Sequence, residues 1–171
     1  VDLLASALAA GGYDVVSSTD LAELGQITAE DSQNVGLRAV LAIGGDGTAS
    51  SVRSRVPLEV PIVPVPLGTE NLLARYLRQS ASPAAVRETL DQGVVVDLDL
   101  GRANGRYFLL MVSMGFDADV VRRLHEDRRG NISRGSYLTP TLQAIRSYGY
   151  PELRLYCGAG DTQDGPGIGC R

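Results

Sequence analysis

The segment Ala42–Ser50, AIGGDGTAS, places three glycines within four positions directly after an apolar run. Glycine there costs backbone entropy and adds nothing to a core, so it makes sense where the chain turns sharply and approaches a ligand. Successive N–H groups in such a turn form a concavity for an anion, and the N-terminus of a following helix points into it. The spacing is not the dinucleotide fingerprint, because G-x-G-x-x-G counted from Gly45 meets Ser50. It is not a Walker A loop either, since the chain has no lysine. A tight strand-to-helix turn with Thr48 as N-cap accounts for the same letters without any ligand. Asp46 favours the ligand. A carboxylate about 4 Å from a phosphate costs roughly 1 kcal/mol in water and about 4 kcal/mol at an effective dielectric of 20. A phosphate loop keeps such a group where Mg²⁺ bridges the charges or where the carboxylate takes a proton during transfer. Asp46 is thus the candidate catalytic and metal-binding residue; an aspartate that stabilises its own turn is the plainer alternative.

A second turn, Pro66-Leu67-Gly68-Thr69-Glu70-Asn71, follows the next apolar run as Gly44–Thr48 follows its own. In a parallel sheet both turns lie at the carboxyl edge, where open α/β sheets bind ligands. Thr69 and Asn71 offer uncharged donors and acceptors suited to ribose, base or phosphate, and helix capping by Thr69 is the alternative use.

Other candidates are weaker. Arg122, Arg123, Arg128, Arg129 and Arg134 gather beside Glu126 and Asp127. They suit anionic lipid headgroups, and a solvated helix end with local ion pairs explains them more simply. His125, within that cluster, reads as a surface residue. Asp97 and Asp99 alternate with Val96, Leu98 and Leu100, which puts both on one strand face, toward solvent, with a cleft as the alternative. Asp117 and Asp119 read as caps of the helix that follows Gly115-Phe116.

Composition excludes several classes. Sixteen basic against twenty acidic residues leave a formal charge of −4, the wrong sign for a protein that coats nucleic acid. All the cations are arginine, so lysine chemistry is absent, and one histidine excludes a multi-histidine metal site. Cys157 and Cys170 form no CxxC pair and read as free thiols of a reducing, cytoplasmic compartment. No apolar run is long enough to span a bilayer, and Val1–Gly12 lacks the basic start of a signal peptide. Val1 is not methionine, and the chain is expected to begin inside a longer product.

The elements that must position these turns alternate. A helix from Val1 stops at Gly11-Gly12, and Tyr13–Ser17 reads as a strand. Asp20 and Glu23 have capping-box spacing for a helix to about Asn34. Arg38–Ile43 reads as a buried parallel strand and Pro61–Val65 as a strand whose prolines suggest a position near an edge, with short helices after Thr48 and over Asn71–Gln79. Ser82-Pro83 opens a helix to about Gln92. This alternation predicts a parallel α/β layer over residues 1–93. Beyond Gly93, Val94–Leu100 and Tyr107–Met114, separated by Gly101 to Gly105, read as a β-hairpin. Helices are expected over Asp117–Asp127 and Tyr137–Ser147, and a strand over Glu152–Cys157. Residues 94–157 form the second domain on this reading, and the Gly-, Asp- and Pro-rich tail 158–171 is expected to be disordered.

GGDGT at Gly44–Thr48 followed by PLGTENLLAR at Pro66–Arg75 resembles the diacylglycerol kinase catalytic-domain family of lipid kinases. VVSSTD around Thr19, VSMGFDADVV at Val112–Val121 and RGSYLTPTLQAI at Arg134–Ile145 extend the resemblance to about Tyr156. The resemblance implies a Rossmann-like parallel-sheet N-terminal domain, part of a β-rich (β-sandwich) second domain, and ATP held between them. It implies that Thr19, Gly44, Gly45, Asp46, Gly47, Thr48, Gly68, Thr69 and Asn71 hold ATP, with Asp46 in the Mg²⁺–phosphate network. The implied reaction moves the γ-phosphoryl group of MgATP to a hydroxyl of a lipid reached transiently at the membrane surface.

The chain departs from the family in reading GTENL where many members read GTGND, so Glu70 replaces a glycine and Leu72 an aspartate. Asp164-Gly165 is too early to stand for the family's late Asp-Gly catalytic motif. A non-catalytic nucleotide-binding module, a truncated or degenerate relative, is therefore the alternative function. Incomplete sheets are expected to leave open edges and to favour homo-oligomers.

Overall fold

The computed structural model describes residues 2–33, 36–126, 138–158 and 167–170, and the chain divides into two compact units, Val1–Asp99 and Leu100–Arg171. In the first unit, strand β1 (Val40–Gly44) pairs in parallel with β2 (Ile62–Pro66), from Val40 opposite Ile62 to Gly44 opposite Pro66. Parallel neighbours need a crossover, which helix α3 (Asp46–Arg53) and the loop after it supply. Helices α1 (Asp2–Ala10), α2 (Leu21–Gln33), α4 (Leu72–Tyr76) and α5 (Pro83–Gln92) complete the unit. It is mixed α/β with a small parallel sheet.

Both faces of that sheet are covered. Val63 and Val65 of β2 join Leu4 and Leu8 of α1 and Val86 and Leu90 of α5 in a buried cluster, with Leu41 and Ile43 of β1 packed against it. Val40 and Ala42, out of phase with Leu41 and Ile43, are buried too, as are Ala49 and Val52 of α3, which packs on β1. Strands covered on both sides read as unbroken apolar runs, as RAVLAI and PIVPV do.

Loops are fixed by side chains donating to backbone carbonyls. Arg38 donates from Nε and Nη2 to the Leu90 carbonyl at 2.9 and 2.6 Å, which satisfies an acceptor at the C-terminal end of α5. Arg53 donates to the carbonyls of Val56, Pro57 and Val60 and so shapes the entry into β2. Thr28, a buried hydroxyl, bonds back to the Leu24 carbonyl at 2.8 Å.

The structure corrects several expectations. Tyr13–Ser17 is not a strand: Tyr13 and Val15 pack on the core, yet among the described residues Asp14–Ser17 make no backbone ladder. The period-two pattern is present without a hydrogen-bonded neighbour. Asp20 does cap α2, its Oδ1 accepting from the Ala22 N–H at 2.7 Å, but Glu23 takes the Ser18 hydroxyl instead of closing a capping box. α4 is shorter than expected, because Arg78 turns left-handed (φ 55) and the Gln79 N–H folds back to the Ala74 carbonyl at 2.7 Å.

The second unit contains β3 (Gly101–Ala103), β4 (Arg106–Phe108), α6 (Phe116–Glu126), α7 (Leu138–Ser147), β5 (Leu155–Gly158) and β6 (Gly167–Cys170). Its sheet has the order β4-β3-β6-β5, with β3 and β6 parallel and the outer pairs antiparallel. A β-sandwich is not shown among the described residues. The hairpin turns at Asn104-Gly105, both with positive φ, so Gly101–Ala103 is strand rather than loop and Val94–Leu100 stays outside the sheet, with Val94, Val95 and Val96 exposed. Gly167–Cys170, expected to be disordered, is in a strand; residues 159–166 and 171 lie outside the described residues.

One surface contact ties α5 to the start of the chain. Tyr13 donates its hydroxyl to Asp91 Oδ1 at 2.5 Å, and Arg87 Nε lies 3.3 Å from Asp91 Oδ2. The Tyr13 hydrogen bond, and after it that of Arg87, holds the Asp91 carboxyl below its ordinary 3.8. The same bond to Asp91 pushes the Tyr13 phenol above its ordinary 10.0. The Asp91 contribution to stability is therefore present above pH 3.8 and lost as pH falls through its lower folded value. That of Tyr13 is present below pH 10.0 and lost as pH rises through its higher folded value. Tyr13→Phe is expected to flatten both limbs of the stability–pH curve, read from urea unfolding midpoints across the pH range.

Candidate functional site

The register of β1 and β2 ends the two strands level, and the Leu67 N–H still reaches the Gly44 carbonyl at 3.0 Å just beyond them. The turns after the strands are therefore side by side. A Cβ built on Gly68 would lie 2.5 Å from Gly45 Cα and 3.0 Å from Gly45 N, so backbone meets backbone where no side chain fits. Gly44 is crowded from another direction, with Thr48 Oγ1 only 2.3 Å from where a Cβ would stand. Gly47 is different. A Cβ there would meet nothing within 4 Å, and its φ is outside the left-handed region.

α3 begins at Asp46, with Gly45 in extended conformation (φ −97, ψ −172) as its N-cap. This corrects the expectation that Thr48 caps a helix starting after it: Thr48 is already inside the first turn. The N–H groups of Thr48 and Ala49 bond to the Gly45 carbonyl at 3.0 and 3.1 Å. Those of Asp46 and Gly47 have no acceptor among the described residues, as the leading amides of a helix lack intrahelical partners.

The half-buried Asp46 carboxylate crosses to the second turn. Its Oδ2 accepts from the Leu72 N–H at 3.0 Å and its Oδ1 from the Leu73 N–H at 2.9 Å. Asn71, the N-cap of α4, is left-handed (φ 50, ψ 46) and makes no side-chain cap. Its carboxamide closes the turn instead: Oδ1 accepts from the Gly68 N–H at 2.9 Å and Nδ2 donates to the Gly68 carbonyl at 2.8 Å. Thr69 does not cap α4; it is exposed in the bend before Asn71.

The structure therefore brings together Gly44, Gly45, Asp46, Gly47, Thr48, Gly68, Thr69 and Asn71. Thr19 is exposed in the bend before α2, and no hydrogen bond among the described residues joins it to either turn. Sequence reading missed the Leu72 and Leu73 amides as partners of Asp46, since a backbone donor has no letter of its own. Outside these turns, Asp117 and Asp119 lie within the first turn of α6 rather than at its cap. Asp119 pairs with Arg122 at 2.6 Å and Arg123 at 2.7 Å, which hold its carboxyl below the ordinary range, Arg122 foremost. Arg122 also meets Glu126 at 2.5 Å, so these two arginines form local ion pairs. Arg128, Arg129, Arg134 and the His125 side chain lie outside the described residues. Asp97 and Asp99 are exposed. No group of three or more His, Cys, Asp or Glu side chains suited to a metal occurs among the described residues.

Residues 2–103 match the profile of the diacylglycerol kinase catalytic domain. A Pseudomonas fluorescens (strain Pf0-1) protein named "Probable lipid kinase YegS-like" is 33% identical over 112 residues, 64% of this chain and 36% of that protein. A Pseudomonas aeruginosa (strain UCBPP-PA14) protein of the same name is 34% identical over 112 residues, 64% of this chain and 37% of that protein. Another of that name, from Pseudomonas fluorescens (strain Pf-5), is 31% identical over 151 residues, 85% of this chain and 50% of that protein. The chain thus spans between about a third and a half of the length of these relatives. No solved structure matches it.

The glycine contacts predict different outcomes for the same substitution. Gly68→Ala forces the two turns apart and is expected to destabilise the first unit by about 1–3 kcal/mol, as overpacking does. Gly47→Ala meets open space and is expected to stay within about 0.5 kcal/mol of the parent or to gain slightly in stability. Denaturant unfolding of the two variants reads the contrast directly.

Proposed function

The chain belongs to the diacylglycerol kinase catalytic domain family, a family of lipid kinases, and from that premise we propose that its paired glycine turns hold the phosphates of MgATP for transfer of the γ-phosphoryl group to a lipid hydroxyl. The observation that carries this reading is Gly47. Packing accounts for Gly44, Gly45 and Gly68, each crowded by a named neighbour. Gly47 has room for a side chain and an ordinary φ, so neither packing nor backbone conformation calls for glycine there. A residue this small beside unpaired amides suits a ligand that comes close to the backbone.

On this reading the N–H groups of Asp46 and Gly47 face phosphate oxygens, and Gly44, Gly45 and Thr48 shape the first turn. Thr19, Gly68, Thr69 and Asn71 complete the ATP site, Asn71 by holding the second turn in its left-handed bend. Mg²⁺ fits the donor set: one carboxylate, Asp46, stands at the turn, and this ion is commonly held by one or two carboxylates plus phosphates and water. Bound there, it would neutralise charge on the transferring phosphoryl group. The first unit is proposed to be a Rossmann-like domain and the second part of a β-sandwich. No described helix is long and apolar enough to cross a membrane, and the lipid is proposed to be met at the membrane surface from the cytoplasm.

A thermal-shift titration tests the reading. MgATP at 100 times its Kd is expected to add about 2.7 kcal/mol to the stability of the chain. Gly47→Ala, though no less stable alone, is expected to bind at least about tenfold more weakly, a loss of about 1.4 kcal/mol. No shift of the parent chain at millimolar MgATP would remove the proposal. Phosphate transfer to diacylglycerol or a sphingoid base, followed with labelled ATP, tests the second half of the reading.

A further inference from the structure

We propose that Asp46 is a positioning residue, a helix cap supplied from another part of the chain that holds the 66–71 turn in the shape needed beside the first turn. The inference rests on the nucleotide reading of these turns and extends it to how they are assembled. α4 is five residues long, too short to nucleate by itself, and its own N-cap offers it no side-chain acceptor. Asn71 cannot serve as that acceptor, because both ends of its carboxamide are engaged with Gly68. The first two amides of α4 instead find their acceptors on Asp46, one on each carboxylate oxygen, at 3.0 and 2.9 Å. A carboxylate offers a separate oxygen to each amide; a carboxamide of the same size offers one oxygen, and its other end is a donor that faces the second amide. Each oxygen retains a further lone pair, so capping and the proposed contact with Mg²⁺ are compatible.

Wild-type protein gives the first test, without any variant. Through-hydrogen-bond scalar couplings are expected between the Leu72 and Leu73 amide nitrogens and the Asp46 side-chain carboxylate carbon in NMR spectra of the ligand-free chain. Absence of both couplings would overturn the proposal. In Asp46→Asn the Leu72 and Leu73 amides are expected to exchange with solvent at least about tenfold faster, while those of Val63 and Val65 in β2 report that the fold is kept. Unchanged exchange at Leu72 and Leu73 would also overturn it.

A binding split separates positioning from the cation role. In EDTA no cation bridges Asp46 to phosphate, so removing a negative charge alone should leave ADP binding equal or tighter. Loss of the second turn's shape instead predicts at least about tenfold weaker binding of ADP to Asp46→Asn in EDTA. Equal or tighter binding there would count against positioning. If the wild-type chain binds neither MgATP nor ADP, the proposed function fails, and the couplings still decide whether Asp46 holds the turn.

Discussion

The structure of the site depends on the contact between two stretches of backbone, Gly45 against Gly68. Parallel pairing of β1 and β2 sets it up, because strands about 4.8 Å apart that end level must release their turns as neighbours. Any side chain at Gly68 would meet the Gly45 main chain, so the turns lie together only if that position carries glycine. Thr48 leans over Gly44 and imposes a similar limit on the first turn alone. Gly45 is thus a consequence of how the sheet ends, and Gly44 of the side chain that follows it in the turn. Gly47 alone of the GGDGT glycines has no neighbour that excludes a side chain.

Steric contact brings the turns together, and Asp46 makes the arrangement polar and directional. Its carboxylate joins the first residue of α3 to the first two amides of α4 across 26 and 27 residues of chain. A left-handed Asn71 leads into α4, and such a backbone is tolerated where a local hydrogen-bond pattern over-determines it. Here the Asn71–Gly68 pair does so from one side and the Asp46 cap from the other. Steric fit, turn chemistry and capping converge on the same conformation, as expected of a segment that must hold one shape without a large core of its own.

Much of this was legible in the letters, and the remainder failed for identifiable reasons. The βαβ order, the helix opened by Ser82-Pro83, and the stop at Gly11-Gly12 follow from local chemistry, and each is observed. The strand read at Tyr13–Ser17 had the right alternation but no ladder partner, and pairing is a property of two segments. The hairpin was placed too wide because VVVDLDL alternates, whereas Asn104-Gly105, with positive φ at both residues, sets the turn. Gly101 looked like a loop glycine; it is the strand residue opposite Phe108, where a Cβ would lie 2.2 Å from the ring. At the site, both turns and Asp46 were visible in sequence, but the destination of the carboxylate was not. Its partners are main-chain groups of two leucines, and nothing in the letters of Leu72 and Leu73 marks them as donors.

The same contact bears on how a carboxylate can stand beside phosphates at all. Donation by the α4 amides places partial positive charge beside the Asp46 carboxylate and offsets some of its repulsion of an anion. Interactions of charges with helix ends are worth about 0.3–1 kcal/mol, rising to ∼2 kcal/mol where partly buried. Repulsion between unit charges at about 4 Å and an effective dielectric of 20 is about 4 kcal/mol, and a phosphate group carries more than one charge. The amides therefore cover at most about half of the cost. If a triphosphate does come that close to Asp46, the balance must come from a cation, and the case for Mg²⁺ rests on this shortfall as much as on the family likeness.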